Sequence, residues 1–141
     1  MPSEPPEQAK LCVTARNWSR ITIQHARQAI CQIMKNANIF VDVDLTLVNA
    51  NGELLSGARE ALQRLREKGC HLFLWSTAGA EYCRRVASAH RMTDFFEGFT
   101  AKPDIIIDDM PATCVTEFVY DVRQERSWDA LATRIIEKHV D

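Results

Sequence analysis

Residues 39–48 read IFVDVDLTLV, and this stretch decides the fold. It begins as an apolar, largely β-branched run after the polar residues 35–38, a pattern typical of a buried strand in a parallel sheet. Two carboxylates, Asp42 and Asp44, come where that run ends. The carboxyl ends of parallel strands form the edge at which open α/β folds bind their ligands. We therefore expect both carboxylates to face one crevice at that edge.

The spacing of Asp42 and Asp44 also predicts a cation. Two carboxylates a few ångströms apart repel each other by about 4 kcal/mol at an effective dielectric constant of about 20. A hard divalent ion such as Mg²⁺ removes that repulsion, and carboxylate oxygens are among its usual protein ligands. The cofactor predicted here is therefore Mg²⁺.

Two further apolar runs end in polar side chains. Residues 70–75 (CHLFLW) and residues 105–107 (three isoleucines) each read as a buried strand. The polar residues that follow or flank these runs are Ser76, Thr77, Lys102, Asp108 and Asp109. Three strands would thus bring a carboxylate pair, a hydroxyl, and a lysine with a second carboxylate pair to one edge.

This order of residues resembles the haloacid dehalogenase (HAD) superfamily of phosphohydrolases, in particular its small members. The matching residues are Asp42-x-Asp44-x-Thr46, Ser76, Lys102 and Asp108-Asp109, within residues 39–141. A single DxDxT motif is a weak signal, but four motifs in this order at strand ends are a strong one. The resemblance implies a Mg²⁺-dependent phosphomonoesterase that acts through a phospho-aspartate intermediate on an unidentified phosphorylated substrate.

The resemblance also implies a role for each matching residue. Asp42 is the expected nucleophile, Asp44 the acid and base, and Lys102 the cation that neutralises the transferring phosphoryl group. The phosphate-binding residues implied are Ser76, Thr77 and Thr46, and the metal ligands implied are Asp42, Asp44, Asp108 and Asp109. Asp108 is favoured as the direct ligand, whereas Asp109 could act through water. The competing interpretations are loop-capping carboxylates, a surface lysine, and Thr77 as a helix N-cap.

Strands that alternate with helices predict the fold class: α/β, a Rossmann-like three-layer sandwich with a mostly parallel sheet of about five strands and helices on both faces. The fourth and fifth strands are expected within residues 95–99 and 117–120. Asn51-Gly52 between apolar pairs predicts a hairpin flap. Ser56 and Ser127 are expected N-caps, and Gly69 an expected helix end. The helix after Ser56 has an apolar face that is expected to be buried, formed by Ala58, Ala61, Leu62 and Leu65. These elements fill both intervals between the motifs, so no large cap domain is expected.

Residues 1–38 are an expected N-terminal extension, with a helix over about 17–36. Its apolar positions recur at a 3-4 spacing, which suits packing against the chain's own sheet and equally a seam with a second subunit. A homo-oligomer formed through this helix is therefore one open alternative.

Composition narrows the class of protein further. The chain has 141 residues, 46% of them apolar, and a net charge of −2, which indicates one globular domain and favours neither nucleic acid nor a membrane as partner. Its five cysteines form no CxxC motif, which is typical of reduced thiols in the cytoplasm.

A second function competes with the hydrolase. A phosphate-binding module, phosphorylated on an aspartate but turning over little, also combines several aspartates, a hydroxyl and a lysine on a parallel sheet. In two-component receiver domains the lysine comes last, whereas here Lys102 precedes the second acid pair. That order favours the hydrolase.

Overall fold

The computed structural model describes residues 36–107, 109 and 118–140. The helix expected over residues 17–36 falls almost entirely outside them, as does Asp108. In chain order the elements are β1 (Asn38–Asp42), α1 (Ala58–Glu67), β2 (His71–Ser76), α2 (Ala80–Ala89), a 3₁₀ turn (Thr93–Phe95), β3 (Gly98–Ala101), α3 (Trp128–Ile135) and a π-helical turn (Ile136–Val140). None of the helices in this part of the chain is long and apolar enough to cross a membrane.

The three strands form one parallel sheet in the order β1-β2-β3, with β2 in the middle. The register places Asp42 beside Trp75, and Trp75 beside Thr100. The α/β class with a parallel sheet is therefore confirmed. The expected number of strands is wrong for the described residues, which contain three rather than about five.

The third strand is not the one that the isoleucine run predicted. Residues 105–107 lie outside any strand, and their side chains are between 49% and 97% exposed. The place next to β2 is taken by β3, which extends the ladder at both ends through Glu97 N–H donating to Leu72 O and Lys102 N–H donating to Ser76 O, at 2.8 and 3.0 Å. The apolar composition of residues 105–107 therefore predicted a strand in the wrong place. A strand must also pair with a neighbouring strand, and the position beside β2 is occupied by β3.

The final strand expected over residues 117–120 is also absent from the described residues 118–120. The short edge strand expected within residues 95–99 does exist. It is shifted to Gly98–Ala101, because Thr93–Phe95 forms the 3₁₀ turn.

The core lies on one face of the sheet. In β2 every second side chain is buried, namely Leu72, Leu74 and Ser76. Helix α1 buries the stripe expected from its period, Ala58, Ala61, Leu62 and Leu65, and α3 adds Trp128, Leu131 and Ala132. Helices α1 and α3 pack together, and Arg64 joins them by an ion pair with Asp129.

The other face of the sheet carries aromatic rings that remain partly exposed. Phe40 stacks on Phe73 with a centroid distance of 4.9 Å and contacts the Trp75 ring at 5.0 Å. Gly98 lies against Phe73 so closely that a Cβ at this position would be 2.9 Å from the ring. These rings lead along β2 towards the carboxyl edge.

Helix ends follow the expected chemistry at two of three positions. Ser127 caps α3, since its side chain accepts from Ala130 N at 3.1 Å. Gly69, with φ +86°, ends α1 in a Schellman arrangement: Gly69 N donates to Arg66 O and Cys70 N to Leu65 O. The N-cap expected at Ser56 is wrong, because Gly57 occupies that position in the left-handed region and no side chain caps the helix.

The flap predicted at Asn51-Gly52 forms with a different turn. Asn49 N donates to Glu53 O and Gly52 N to Asn49 O, which encloses a three-residue loop. Only Gly52 has a positive φ, so this is the longer hairpin with a left-handed glycine rather than the two-residue turn. The Asn49 side chain accepts from Asn51 N and Glu53 N, which fixes the loop.

Candidate active site

Three adjacent strand ends meet at the carboxyl edge of the sheet. Asp42 ends β1, Ser76 ends β2, and Lys102 follows the last residue of β3. The backbone of Lys102 donates to Ser76 O at 3.0 Å, which holds the two strand ends together. Lys102 therefore reaches the edge from the end of a strand, not from the start of one as the sequence pattern indicated.

The structure brings Lys102 and Asp42 into an ion pair, with Nζ 3.0 Å from Oδ1. The two side chains are 34% and 31% exposed, and an ion pair this open contributes only about 0–1 kcal/mol to stability. Thr46 Oγ1 donates to the other oxygen of Asp42 at 3.4 Å. Folding alone therefore gains little from this cluster.

Trp75 supports the same lysine. The ammonium of Lys102 lies 5.7 Å from the centroid of the Trp75 ring, within the range of a cation–π contact. The Trp75 side chain is half-buried. The pairing of Trp75 with Asp42 in neighbouring strands is the reason for this contact, and a sequence without known register does not reveal it.

The loop after β1 is held in a strained turn. The carbonyl of Val43 accepts from the backbone N–H of Leu47 at 2.9 Å and of Val48 at 3.1 Å. Leu45 has φ +59°, which for a residue with a side chain costs of the order of 1–3 kcal/mol. From the far end of the chain, Trp128 Nε1 donates to Thr46 O at 3.1 Å. Strain of this kind persists where surrounding contacts over-determine the loop, and it occurs often at functional sites.

Asp44 lies in that loop and is exposed, but its side chain is not free. Its Oδ1 accepts a 2.6 Å hydrogen bond from the hydroxyl of Tyr82, in the first turn of α2. This hydrogen bond, followed by burial, raises the pKa of the Tyr82 phenol. Tyr82 is not among the residues that the motif order selects, so the sequence did not reveal this contact. The available signal was an aromatic residue with a polar tip one turn after a strand end.

The charges of Asp42 and Asp44 both act on the Cys83 thiol in α2. Burial raises the pKa of the Cys83 thiol, and the negative charges of Asp42 and Asp44 raise it further. Cys83 is fully buried, and its Sγ lies 3.7 Å from the carbonyl oxygen of Thr100 in β3. Asp44 contacts the start of α2 through Tyr82, and the charges of both carboxylates act on Cys83.

Ser76 and Thr77 differ in their placement. Ser76 is buried on the core face of β2, and its Oγ accepts from Ala78 N at 3.1 Å. Thr77 is exposed, and it is not the N-cap of α2, because Gly79 holds that position. Within the described residues, neither hydroxyl hydrogen-bonds to Asp42 or Lys102.

Carboxylate oxygens, the ligands that a hard cation prefers, are present at this edge. Among the residues that the structure describes, Asp42 Oδ2 accepts a single hydrogen bond, from Thr46 at 3.4 Å, and Asp44 lies two residues further along the chain. Asp109 is exposed, and Asp108 lies outside the described residues. Within residues 36–107, 109 and 118–140, no three cysteine, histidine or acidic side chains are grouped closely enough to hold a metal ion.

Comparison with known proteins does not assign the chain to a family. No protein-family model matches the sequence, and no curated protein matches it significantly. The candidate site therefore depends on the order of its motifs and on the geometry at the carboxyl edge.

Proposed function

We propose that this chain is a Mg²⁺-dependent phosphomonoesterase of the HAD type, with Asp42 as the nucleophile. The observation that supports this best is the 3.0 Å contact between Lys102 Nζ and Asp42 Oδ1 at adjacent strand ends. A lysine paired with a carboxylate that is about one-third exposed can screen the negative charge of that carboxylate from an approaching anionic phosphoryl group. The DxDxT order and the strained turn after β1 add to this argument.

In the proposed reaction a carboxylate oxygen of Asp42 attacks phosphorus, and the bond from phosphorus to the substrate oxygen breaks. Asp44 gives its proton to that leaving oxygen, so that an alcohol departs. A water molecule then attacks the phosphorus of phospho-Asp42, and Asp44 takes up the proton of that water. Inorganic phosphate leaves, and both aspartates return to their starting state.

The remaining residues bind and neutralise charge. Lys102 balances the charge that Asp42 and the phosphoryl oxygens bring together, and Trp75 limits where the ammonium can lie. Thr46 donates to Asp42 and restricts the rotation of its carboxylate. A bound Mg²⁺ would supply further positive charge to the phosphoryl oxygens. The groups proposed to hold it are the Asp42 carboxylate, the backbone carbonyl of Asp44, and Asp108 or Asp109.

The substrate class follows from the exposure of the site. Asp44 and Leu45 are exposed, and the only hairpin in the described residues, around Asn51-Gly52, is short. No inserted cap encloses the edge within residues 36–107. We therefore propose a substrate whose phosphate projects from a larger molecule, since an open cleft does not select against bulk.

The test is phosphate release from p-nitrophenyl phosphate by the purified full chain. We expect turnover with Mg²⁺, loss of turnover with a chelator, and a loss of at least about 1,000-fold for Asp42→Asn. Asp94→Asn is the matched control, because Asp94 is an exposed aspartate in the 3₁₀ turn, away from the strand ends.

Two outcomes would contradict the proposal. Turnover that survives Asp42→Asn would exclude the covalent mechanism. Stable labelling of Asp42 by acetyl phosphate, without release of phosphate, would favour the regulatory module instead.

A further inference from the structure

We propose that Tyr82 is a positioning residue for the proposed acid and base, and that its hydroxyl fixes Asp44 so that Oδ2 alone exchanges the proton with the leaving oxygen. This inference rests on the proposed function and adds a residue that the motif order does not contain. Tyr82 would touch neither phosphorus nor the leaving oxygen. It would act through Asp44.

The hydrogen bond from Tyr82 fixes one oxygen of the Asp44 carboxylate. Tyr82 Oη lies 2.6 Å from Asp44 Oδ1, a short contact for a phenol that donates to a carboxylate. The two residues are 38 positions apart, so the bond joins the first turn of α2 to the loop after β1. Within the described residues Oδ2 of Asp44 makes no hydrogen bond, and it is therefore the oxygen left for chemistry.

The backbone of the loop that carries Asp44 is fixed by other contacts. Leu45, the next residue, is in the left-handed region, and Thr46 O is tied to Trp128. The backbone at Asp44 is therefore held on its carboxyl side, while the exposed side chain would be free to rotate without Tyr82. A general acid that samples several rotamers is misplaced for part of the time, and small misplacements reduce rates strongly.

Tyr82 is the donor in this contact, because Asp44 Oδ1 accepts the hydrogen bond from the phenol hydroxyl. The proton of Tyr82 stays in that hydrogen bond, and the proton that reaches the leaving oxygen comes from Asp44.

A positioning role has a signature that a structural role lacks. An alkoxide is a poor leaving group and needs a proton as the bond to phosphorus breaks, whereas p-nitrophenolate leaves without one. The value of kcat/KM reports the steps up to departure of the leaving group. Loss of a positioned acid should therefore lower kcat/KM for alkyl phosphates more than for aryl phosphates.

The experiment compares Tyr82→Phe with the native protein on β-glycerol phosphate and on p-nitrophenyl phosphate. We expect kcat/KM to fall by about 10-fold for the alkyl ester and by less than about 3-fold for the aryl ester. Tyr120→Phe is the matched control, since Tyr120 is the only other tyrosine and its hydroxyl contacts His139 instead. In an Asp44→Asn background, Tyr82→Phe should have no further effect.

An equal fall for both esters, or no fall, would overturn the positioning role while leaving the phosphatase intact. Absence of Asp42-dependent turnover in the native chain would overturn the proposed function, and with it any role of Tyr82 in catalysis.

Discussion

The carboxyl edge of the sheet and the layer formed by α1 and α3 hold their side chains in opposite ways. At the edge, Asp42 and Lys102 are paired but remain about one-third exposed. In the helical layer, Leu62, Leu65 and Leu131 are almost fully removed from water. Burial of an aliphatic side chain contributes about 1.5–3 kcal/mol to stability, whereas an exposed ion pair contributes about 0–1 kcal/mol. Substitutions of charged residues at the edge should therefore leave the chain folded, whereas substitutions of buried residues in the helical layer should destabilise it.

The largest expected effect concerns the edge. Lys102→Met should lower kcat/KM by roughly 100- to 1,000-fold, because the charge that faces Asp42 is lost, yet change the free energy of unfolding by no more than about 1 kcal/mol. Steady-state kinetics and urea unfolding of the same sample measure both quantities. Lys138→Met, at an exposed lysine beyond α3, is the control for a lost positive charge. A stability loss as large as that of a core variant would break the comparison between the two regions.

The second effect concerns the helical layer. Leu62→Ala should lower the free energy of unfolding by about 3 kcal/mol, because it leaves a cavity between α1 and its neighbours. Below the melting temperature the turnover per folded molecule should stay the same. Ile107→Ala removes a similar side chain that is 97% exposed, and it should change stability by less than about 0.5 kcal/mol. Equal losses at the two positions would show that the isoleucine run is covered in solution.

The third effect tests the ends of the same layer. Ser127→Ala should lower stability by about 1 kcal/mol, since the Ser127 side chain satisfies Ala130 N at the start of α3. Ser56→Ala is the matched control before α1, where no side-chain cap forms, and it should be nearly neutral. Thermal unfolding of the two variants distinguishes them. A larger loss of stability for Ser56→Ala than for Ser127→Ala would show that Ser56, and not Gly57, is the N-cap of α1.

The smallest effect is a dependence on pH. His139 is buried, and its Nε2 lies 2.6 Å from the hydroxyl of Tyr120. Burial, aided by Lys138, lowers the pKa of His139 below its ordinary value of about 6.5. The unfolded chain therefore takes up the proton first, so the contribution is fully present above the unfolded pKa and is lost as the pH falls through the folded pKa. Urea unfolding between pH 7.5 and pH 5 should show this loss, and His139→Gln should reduce it. An unchanged slope in the variant would contradict the assignment.

Much of the helical layer could be predicted from the sequence because its signals are local. The apolar stripe of α1, the cap at Ser127 and the glycine at Gly69 each depend on residues within one or two turns. Ser56 failed as a cap because Gly57, in the left-handed region, already occupies the N-cap position, and composition does not reveal which of two adjacent residues does so.

The sheet and the site were predicted only in part, because they depend on which strands become neighbours. Three isoleucines predicted a strand more strongly than the sequence of Gly98–Ala101, yet the latter pairs with β2. Asp42 and Lys102 form an ion pair, as the motif order implied. The contact of Lys102 with Trp75 depends on the strand register, which the sequence alone does not give. The contact between Tyr82 and Asp44 depends on how α2 packs at the edge, and no local pattern encodes that angle.

The hydrogen bond from Trp128 to Thr46 has a consequence for synthesis on the ribosome. It joins positions 82 residues apart, so the loop that carries Asp44 emerges long before its last support has been translated. A nascent chain can pair β1 with β2 early, but the strained turn at Leu45 stays unsupported until α3 emerges and docks. Premature termination before Trp128 should therefore yield a partly ordered sheet in which the loop at Asp44 lacks this hydrogen bond.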